Sequence, residues 1–286
     1  MLLGGRYVWI WELSRSEKGD VNRLIQQAHD LGLEGYIIKT HDGSSFWQQA
    51  YAVQEMKNAG ISCGAWGYCY GKNVAGEISA IEKTAALNPD FYVMDVEAEF
   101  EPSGMRNTAE QLLAGLKGLN IPLGYTSFAI PSLHTVPFDI FSKYCKFTMP
   151  QIYWALMGRD VTKAFDQSVT EYKKYGIPIV PIGQITSDVP SQDIVEFNSL
   201  CSADNITTVT YWDYQEAGST QFDAIKQTTG SMSLQDAVTI LVRNGIIKSP
   251  DYWTENAVNG KSVNGSYASI LIIRAAEKLS NQAFTV

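Results

Sequence analysis

The stretch Phe91-Tyr92-Val93-Met94-Asp95-Val96-Glu97-Ala98-Glu99-Phe100-Glu101 sets a carboxylate at every second residue behind an apolar run. On an extended strand alternate side chains share a face, so Val93, Asp95, Glu97 and Glu99 point the same way while that geometry lasts. Like charges crowded together repel and resist ionisation, a cost that fixed partners or a chemical purpose must justify. The purpose such a cluster suits is glycoside hydrolysis. One carboxyl, held protonated by its neighbour, donates to the leaving oxygen. A second stays ionised, to stabilise positive charge at the anomeric carbon or to orient a participating group. Glu97, further out along the strand than Asp95, is the candidate acid and Asp95 its electrostatic partner. Glu99 is either a supporting residue or the acid itself. The alternative is a salt-bridge network at the rim.

Other strand ends agree with a sugar site. They read Trp66-Gly67-Tyr68-Cys69-Tyr70, Gln151-Ile152-Tyr153-Trp154 and Tyr211-Trp212-Asp213-Tyr214-Gln215. Aromatic rings beside amides and carboxylates offer the apolar platforms and hydrogen bonds that a pyranose needs. Trp66, Tyr68, Gln151, Tyr153, Trp212 and Asp213 are therefore candidate substrate-binding residues, joined by Glu12, Lys39, Asp42 and Gln184 from the remaining strand ends. Lys39 has the position of a Schiff-base lysine, although a salt bridge accounts for it as well. The three histidines, His29, His41 and His134, lie far apart without H-x-x-x-H spacing, so no metal site is expected. Ser127 is in no G-x-S-x-G elbow, and neither G-x-G-x-x-G after the first strand nor G-x-x-x-x-G-K-[ST] occurs. No cofactor is expected.

The elements that must position these residues alternate eight times over the first 227 residues. Apolar, β-rich runs at Tyr7–Leu13, Tyr36–Thr40, Ser62–Gly67, Phe91–Val96, Pro122–Thr126, Phe147–Tyr153, Ile177–Gly183 and Thr207–Trp212 read as parallel strands covered on the outside. Between them lie amphipathic segments. In Val21–Leu31 the residues Val21, Leu24, Ile25, Ala28 and Leu31 share a face, with Asp20 as N-cap and Gly32 as stop. Comparable segments cover 45–59, 74–87, 105–118, 160–175, 191–203 and 219–227, whereas Pro131 and Pro137 break up the one after the fifth strand. An open doubly wound sheet is the alternative. The polar residues at strand C-terminal ends and the length, 286 residues against the ~250 that such barrels take, favour a (β/α)8 TIM barrel. The pattern changes at Thr228-Thr229-Gly230-Ser231. Residues 1–229 are thus read as the barrel, and 230–286 as a small all-α domain with helices at 233–244 and 266–279. That domain docks on the barrel, on a second subunit as a homo-oligomer contact, or on a surface ligand.

With 45% hydrophobic and 18% charged residues, the composition is that of a soluble globular protein. The net charge of −8 is scattered and forms no basic stripe, so nucleic acid is an unsuitable partner. No apolar run approaches the ~18 residues of a membrane span. The start, Met1-Leu2-Leu3-Gly4-Gly5-Arg6, is no secretory leader. The expectation is a chain made in the cytoplasm, there or after release to act on the cell wall. Cys63, Cys69, Cys145 and Cys201 lack paired spacing and read as reduced, small apolar residues.

Asp95-Val96-Glu97 resembles the D-x-E motif of glycoside hydrolase family 25, the Chalaropsis-type lysozymes that cut peptidoglycan. Family 18, the chitinases, ends the same strand with D-x-D-x-E. Over a wider span the chain resembles an uncharacterised group of bacterial glycoside-hydrolase-like barrels. That likeness is carried by Arg6–Trp11, Trp66–Tyr68, Thr126–Phe128, Pro150–Trp154, Pro181–Gln184 and Tyr211–Gln215. The resemblance implies a barrel hydrolase with Glu97 as acid and Asp95 as partner. Family 25 also places an aspartate in a G-x-D-x-S setting on the first strand, where this chain has Val8-Trp9-Ile10-Trp11-Glu12-Leu13 with Glu12 as its carboxylate. The helical tail resembles modules found beside cell-wall and phage-related domains of Gram-positive bacteria. The leading expectation is a glycosidase acting on a bacterial cell-wall polysaccharide, peptidoglycan. A catalytically silent glycan-binding barrel of a phage or cell-surface assembly comes second, and a lyase or aldolase using Lys39 third.

Overall fold

Eight parallel strands close into a barrel in the computed structural model, which describes residues 4–227 and 234–283. They are β1 (Gly5–Ile10), β2 (Gly35–Asp42), β3 (Ser62–Tyr68), β4 (Phe91–Asp95), β5 (Leu123–Phe128), β6 (Phe147–Ile152), β7 (Ile182–Gln184) and β8 (Thr208–Trp212). Each pairs with its sequence neighbour, and β1 pairs with both β2 and β8 to close the ring. Helices α1 (Val21–Leu31), α2 (Ala52–Asn58), α3 (Val74–Ala85), α4 (Met105–Gly115), α5 (Phe138–Tyr144), α6 (Val161–Lys173), α7 (Ser191–Ala203) and α8 (Ser219–Gln227) surround it. The expected TIM barrel is the observed one.

The strands are apolar on both faces because two cores need them. Val8, Ile10, Tyr36, Ile38, Tyr92, Met94 and Tyr125 face the helices. Tyr7, Trp9, Ile37, Trp66, Phe91, Val93, Phe147, Met149, Val180 and Ile182 fill the barrel. Glycine makes room inside: a Cβ on Gly64 would stand 2.3 Å from the Phe91 ring, and one on Gly124 2.3 Å from that of Phe147. All four cysteines are buried.

Helix α1 shows how local sequence sets an element. Asp20 Oδ1 accepts from the amides of Asn22 and Arg23 at 3.0 and 3.3 Å, and Gly32, at φ 63°, ends the helix in the left-handed region. Asp20→Ala should lower unfolding free energy by about 1 kcal/mol in urea titrations, the ordinary worth of an N-cap.

In the barrel's strands and first crossovers the structure departs from the sequence expectation as follows. Strand β1 stops at Ile10 rather than Leu13, because Leu13–Arg15 turns into a 3-10 helix. Strand β7 keeps only Ile182–Gln184. Pro178 and Pro181 have no N–H to give a ladder, and Ile179 makes only an isolated bridge to Thr148. The segment 45–59 is half as helical as its periodicity implies. Gly43, at φ 53°, turns the chain so that Ser45–Phe46 pairs antiparallel with the end of β2, and a 3-10 turn at Gln48–Tyr51 precedes α2.

Past the barrel lie α9 (Leu234–Arg243), α10 (Pro250–Asn256) and α11 (Gly265–Ala283), the middle one inside the stretch read as turns. They share a small core of Val238, Ile246, Ile247 and Trp253. Arg243 ties α9 to the barrel helices through Asp166 at 2.8 Å and Asp204 at 2.9 Å. The pattern change at Thr228–Ser231, and with it the 229/230 division, falls outside the described residues. Among the described residues no helix is long and apolar enough to cross a membrane.

Candidate active site

Strand alternation carries straight into the site. One step beyond the interior layer, at i+2 along each strand, stand Lys39 on β2, Tyr68 on β3, Asp95 on β4, Thr126 on β5, Gln151 on β6, Gln184 on β7 and Trp212 on β8. The register puts Tyr68, Asp95 and Thr126 side by side on adjacent strands. This ring lies at the C-terminal end of the strands, where barrel chemistry is sited.

Its floor is aromatic. Trp66 meets Trp9 and Trp212 with ring centroids 5.4 Å apart in each case, and Tyr153 lies 6.4 Å from Trp212. The indole N–H of Trp66 donates to the Ile10 carbonyl at 3.1 Å, and that of Trp9 to Thr210 Oγ1 at 3.0 Å. The Trp66 and Trp9 rings are therefore held in place by the barrel itself.

On that floor stands the carboxyl pair. Asp95 is 6% exposed, and Gln151 Nε2 donates to its Oδ1 at 3.1 Å and to Glu97 Oε1 at 2.8 Å. Burial, then the charge of Glu97 and a hydrogen bond with it, push the Asp95 carboxyl well above the usual carboxylate range, while Lys39 and Gln151 pull the other way. The sequence reading has Glu97 as the acid and Asp95 as its electrostatic partner; the structure brings the two carboxyls together through Gln151. The deeper position is the drier one, and burial there favours the protonated form of Asp95.

Glu99 does not continue the alternation. Strand β4 ends at Asp95 and Ala98–Phe100 is a 3-10 helix, so Glu99 swings toward β3 and accepts from the Tyr68 hydroxyl at 2.6 Å. Lys39 Nζ pairs with Asp42 at 2.6 Å, Asp42 accepts from Tyr70 at 2.7 Å, and the ammonium lies 4.7 Å from the Trp47 ring centre and 5.0 Å from that of Trp66. Gln184 is buried, donates to Thr186 at 2.8 Å and accepts from the Leu156 amide at 3.4 Å.

Two candidates stand apart from the pair. Glu12 turns to Arg15, 3.9 Å away, on the outer rim. Asp213, joined to Trp212 by a cis peptide bond, accepts from the Glu216 amide at 3.1 Å and caps the 3-10 turn Tyr214–Glu216. Burial lifts the Asp213 carboxyl from its ordinary 3.8 to about 6. The folded chain thus holds that proton more tightly than the unfolded chain. Its contribution to stability is full below pH 3.8 and is lost as pH rises through about 6, a difference of about 3 kcal/mol. Asp213→Asn keeps an oxygen for the Glu216 amide. It should flatten this slope and gain up to about 3 kcal/mol near neutral pH, which urea unfolding at matched pH values on either side of the window checks.

Sequence reasoning did not name Trp9, Trp47, Thr126 and Phe128 as site residues. Strand alternation carries a signal for Trp9, Thr126 and Phe128, since each lies two or four residues from an interior position. Trp47 has none, because a loop delivers it. Thr126 Oγ1 is buried beside Asp95 without a hydrogen-bond partner, a donor left over for something that enters the site.

A cleft of about 420 Å³ opens from this cluster, lined by Gln151 and Tyr153 on the site side and by Phe128, Leu133, His134, Leu156 and Arg159 beyond. A second hollow, between the N-terminal ends of β6 and β8, lies at the opposite face of the barrel from the carboxylates.

No family profile matches the sequence, and no curated protein is similar to it. Solved structures are similar in fold. A chitinase from Chromobacterium violaceum ATCC 12472 superposes with a TM-score of 0.57 at 8% identity, over 79% of this chain and 98% of that one. The endo-beta-1,4-mannanase of Thermotoga petrophila gives 0.62 at 10%, over 79% and 76%. The spore cortex-lytic enzyme SleL of Bacillus megaterium QM B1551 gives 0.54 at 9%, over 79% and 74%. The barrel is one that several kinds of glycoside hydrolase share, with no preference for family 25.

Proposed function

We propose that this chain is a glycoside hydrolase acting on a bacterial cell-wall glycan, peptidoglycan, in the manner of a lysozyme or endolysin. The observation that carries the reading is the buried Asp95 carboxyl, bridged to Glu97 through Gln151, above a floor of Trp66, Trp212 and Tyr153. A pyranose ring lies on the indoles. Asp95 passes its proton toward Glu97 and becomes the anion that holds the acetamido N–H of the sugar. The acetamido oxygen attacks the anomeric carbon as the glycosidic C–O bond breaks, and the Glu97 proton goes to the leaving oxygen. Water then opens the cyclic intermediate and returns a proton to Glu97. Lys39, ion-paired with Asp42 and boxed by indoles, sets the field around Asp95 in this scheme and is no Schiff-base nucleophile. Residues 230–286 are assigned to a separate helical unit. Its last helix, exposing Ile272 and Ile273, serves for docking on the wall or on a second copy, and the enzyme meets its substrate after release from the cytoplasm.

The second reading is a barrel that binds glycan without turning it over, favoured by Glu12 pairing with Arg15 where family 25 has a first-strand aspartate. Isothermal titration with soluble wall fragments, followed by mass analysis of the same samples, separates the two. Cleaved fragments support the hydrolase, and tight binding with intact fragments after long incubation supports the silent barrel.

A further inference from the structure

The cleft beyond the carboxyl pair has a composition that a neutral, unsubstituted sugar chain does not call for. Two leucines stand far into solvent on its walls, Leu133 at 66% exposure and Leu156 at 76%. Exposed apolar side chains facing one cleft mark a place for an apolar partner. Between them His134 is stacked on Phe128, with centroids 3.7 Å apart and planes 9° from parallel. The imidazole Nδ1 is 2.7 Å from Glu101 Oε1, and Thr135 Oγ1 donates to the Glu101 carbonyl at 3.0 Å, so the ring is locked. His134 lines the cleft and Glu101 does not.

Arg159 lines the same cleft. Its Nη1 donates to the neutral Gln167 at 2.6 Å, and among the described residues it is in no ion pair. Elsewhere Arg15 and Arg106 on the barrel and Arg243 on α9 each have a carboxylate. The cleft therefore combines a polar amide at Gln151, a ring, two leucines and a cation without a carboxylate partner among the described residues. That combination matches a sugar substituent with an apolar stem and a carboxylate end.

We propose that this cleft is a subsite for the acidic side arm of the glycan, a lactyl ether or its short peptide extension on an N-acetylated sugar, with Arg159 binding the carboxylate and Leu133 and Leu156 enclosing the methyl groups. The inference rests on the peptidoglycan reading of the carboxyl pair and adds to it the place where the acidic side arm is held. Guanidinium suits this task because its planar fork meets a carboxylate with two donors.

The test compares affinities of the full chain for a soluble muramyl-peptide oligomer and for a chitin oligomer of the same length, by isothermal titration, in wild type, Arg159→Met and Arg159→Lys. The wild type is expected to prefer the acidic oligomer. Arg159→Met is expected to lower the acidic-to-neutral affinity ratio about tenfold, the size of one charge-assisted contact at a half-wet surface, and Arg159→Lys to restore part of it. A ratio unchanged in Arg159→Met while the protein still binds glycan overturns the subsite and leaves the hydrolase reading standing. Discrimination that depends on Arg159 without any cleavage sustains the subsite and removes the hydrolase. Failure of the wild type to bind either oligomer overturns both.

Discussion

Glu97→Gln is expected to lower glycan turnover by about 10³-fold, the contribution of a positioned general acid. The substitution removes the ionisable proton and little else. A glutamine carbonyl accepts from Gln151 Nε2 as Glu97 Oε1 does at 2.8 Å, so the bridge between residues 95 and 97 persists. Loss of the neighbouring charge also relieves Asp95 of the second-largest influence holding its proton. The variant should thus bind wall fragments within a few-fold of wild type while failing to cut them, a kcat effect without a matching effect on affinity. Steady-state kinetics together with titration of the same fragments checks both halves.

Asp95→Asn should separate activity from stability. The carboxyl is buried on a strand end, and its folded-state proton affinity is raised by burial and by Glu97. A raised carboxyl contributes stability that is present below the ordinary carboxylate range and is lost as pH rises through the folded value. Asparagine carries no such dependence and keeps an oxygen for Gln151. The variant is expected to unfold at higher urea than wild type at neutral and alkaline pH, with a flatter pH profile. It should lose about 10² to 10³ in turnover, because no anion remains to hold the acetamido group. A gain in stability bought by a loss of function is the mark of a residue kept for chemistry. A destabilised Asp95→Asn would instead mark a structural hydrogen bond.

Much of this architecture can be read from residue order, for reasons particular residues make plain. Period-two alternation through Phe91, Val93 and Asp95 is a property of extended backbone, so it assigns the interior face and places Asp95 at its end. The same logic overshoots at Glu99, because nothing in Glu97-Ala98-Glu99 announces that the strand has become a 3-10 turn. The raised proton affinity of Asp95 is likewise hidden. It depends on depth of burial and on Glu97, while Gln151, over fifty residues away in sequence, pulls the other way. Pro178 and Pro181 are visible in the sequence, yet the apolar run Ile177–Gly183 around them outweighs their missing donors on paper, whereas the ladder obeys the donors. Trp47 and His134 reach the site on loops, where no periodicity applies and only the folded chain shows the neighbours.

The most direct test of the account is release of reducing ends from purified peptidoglycan by wild type and Glu97→Gln, side by side. The account predicts steady release by the wild type that collapses by about 10³-fold in the variant. Equal release by both proteins, or none from a wall to which the wild type binds, would contradict it.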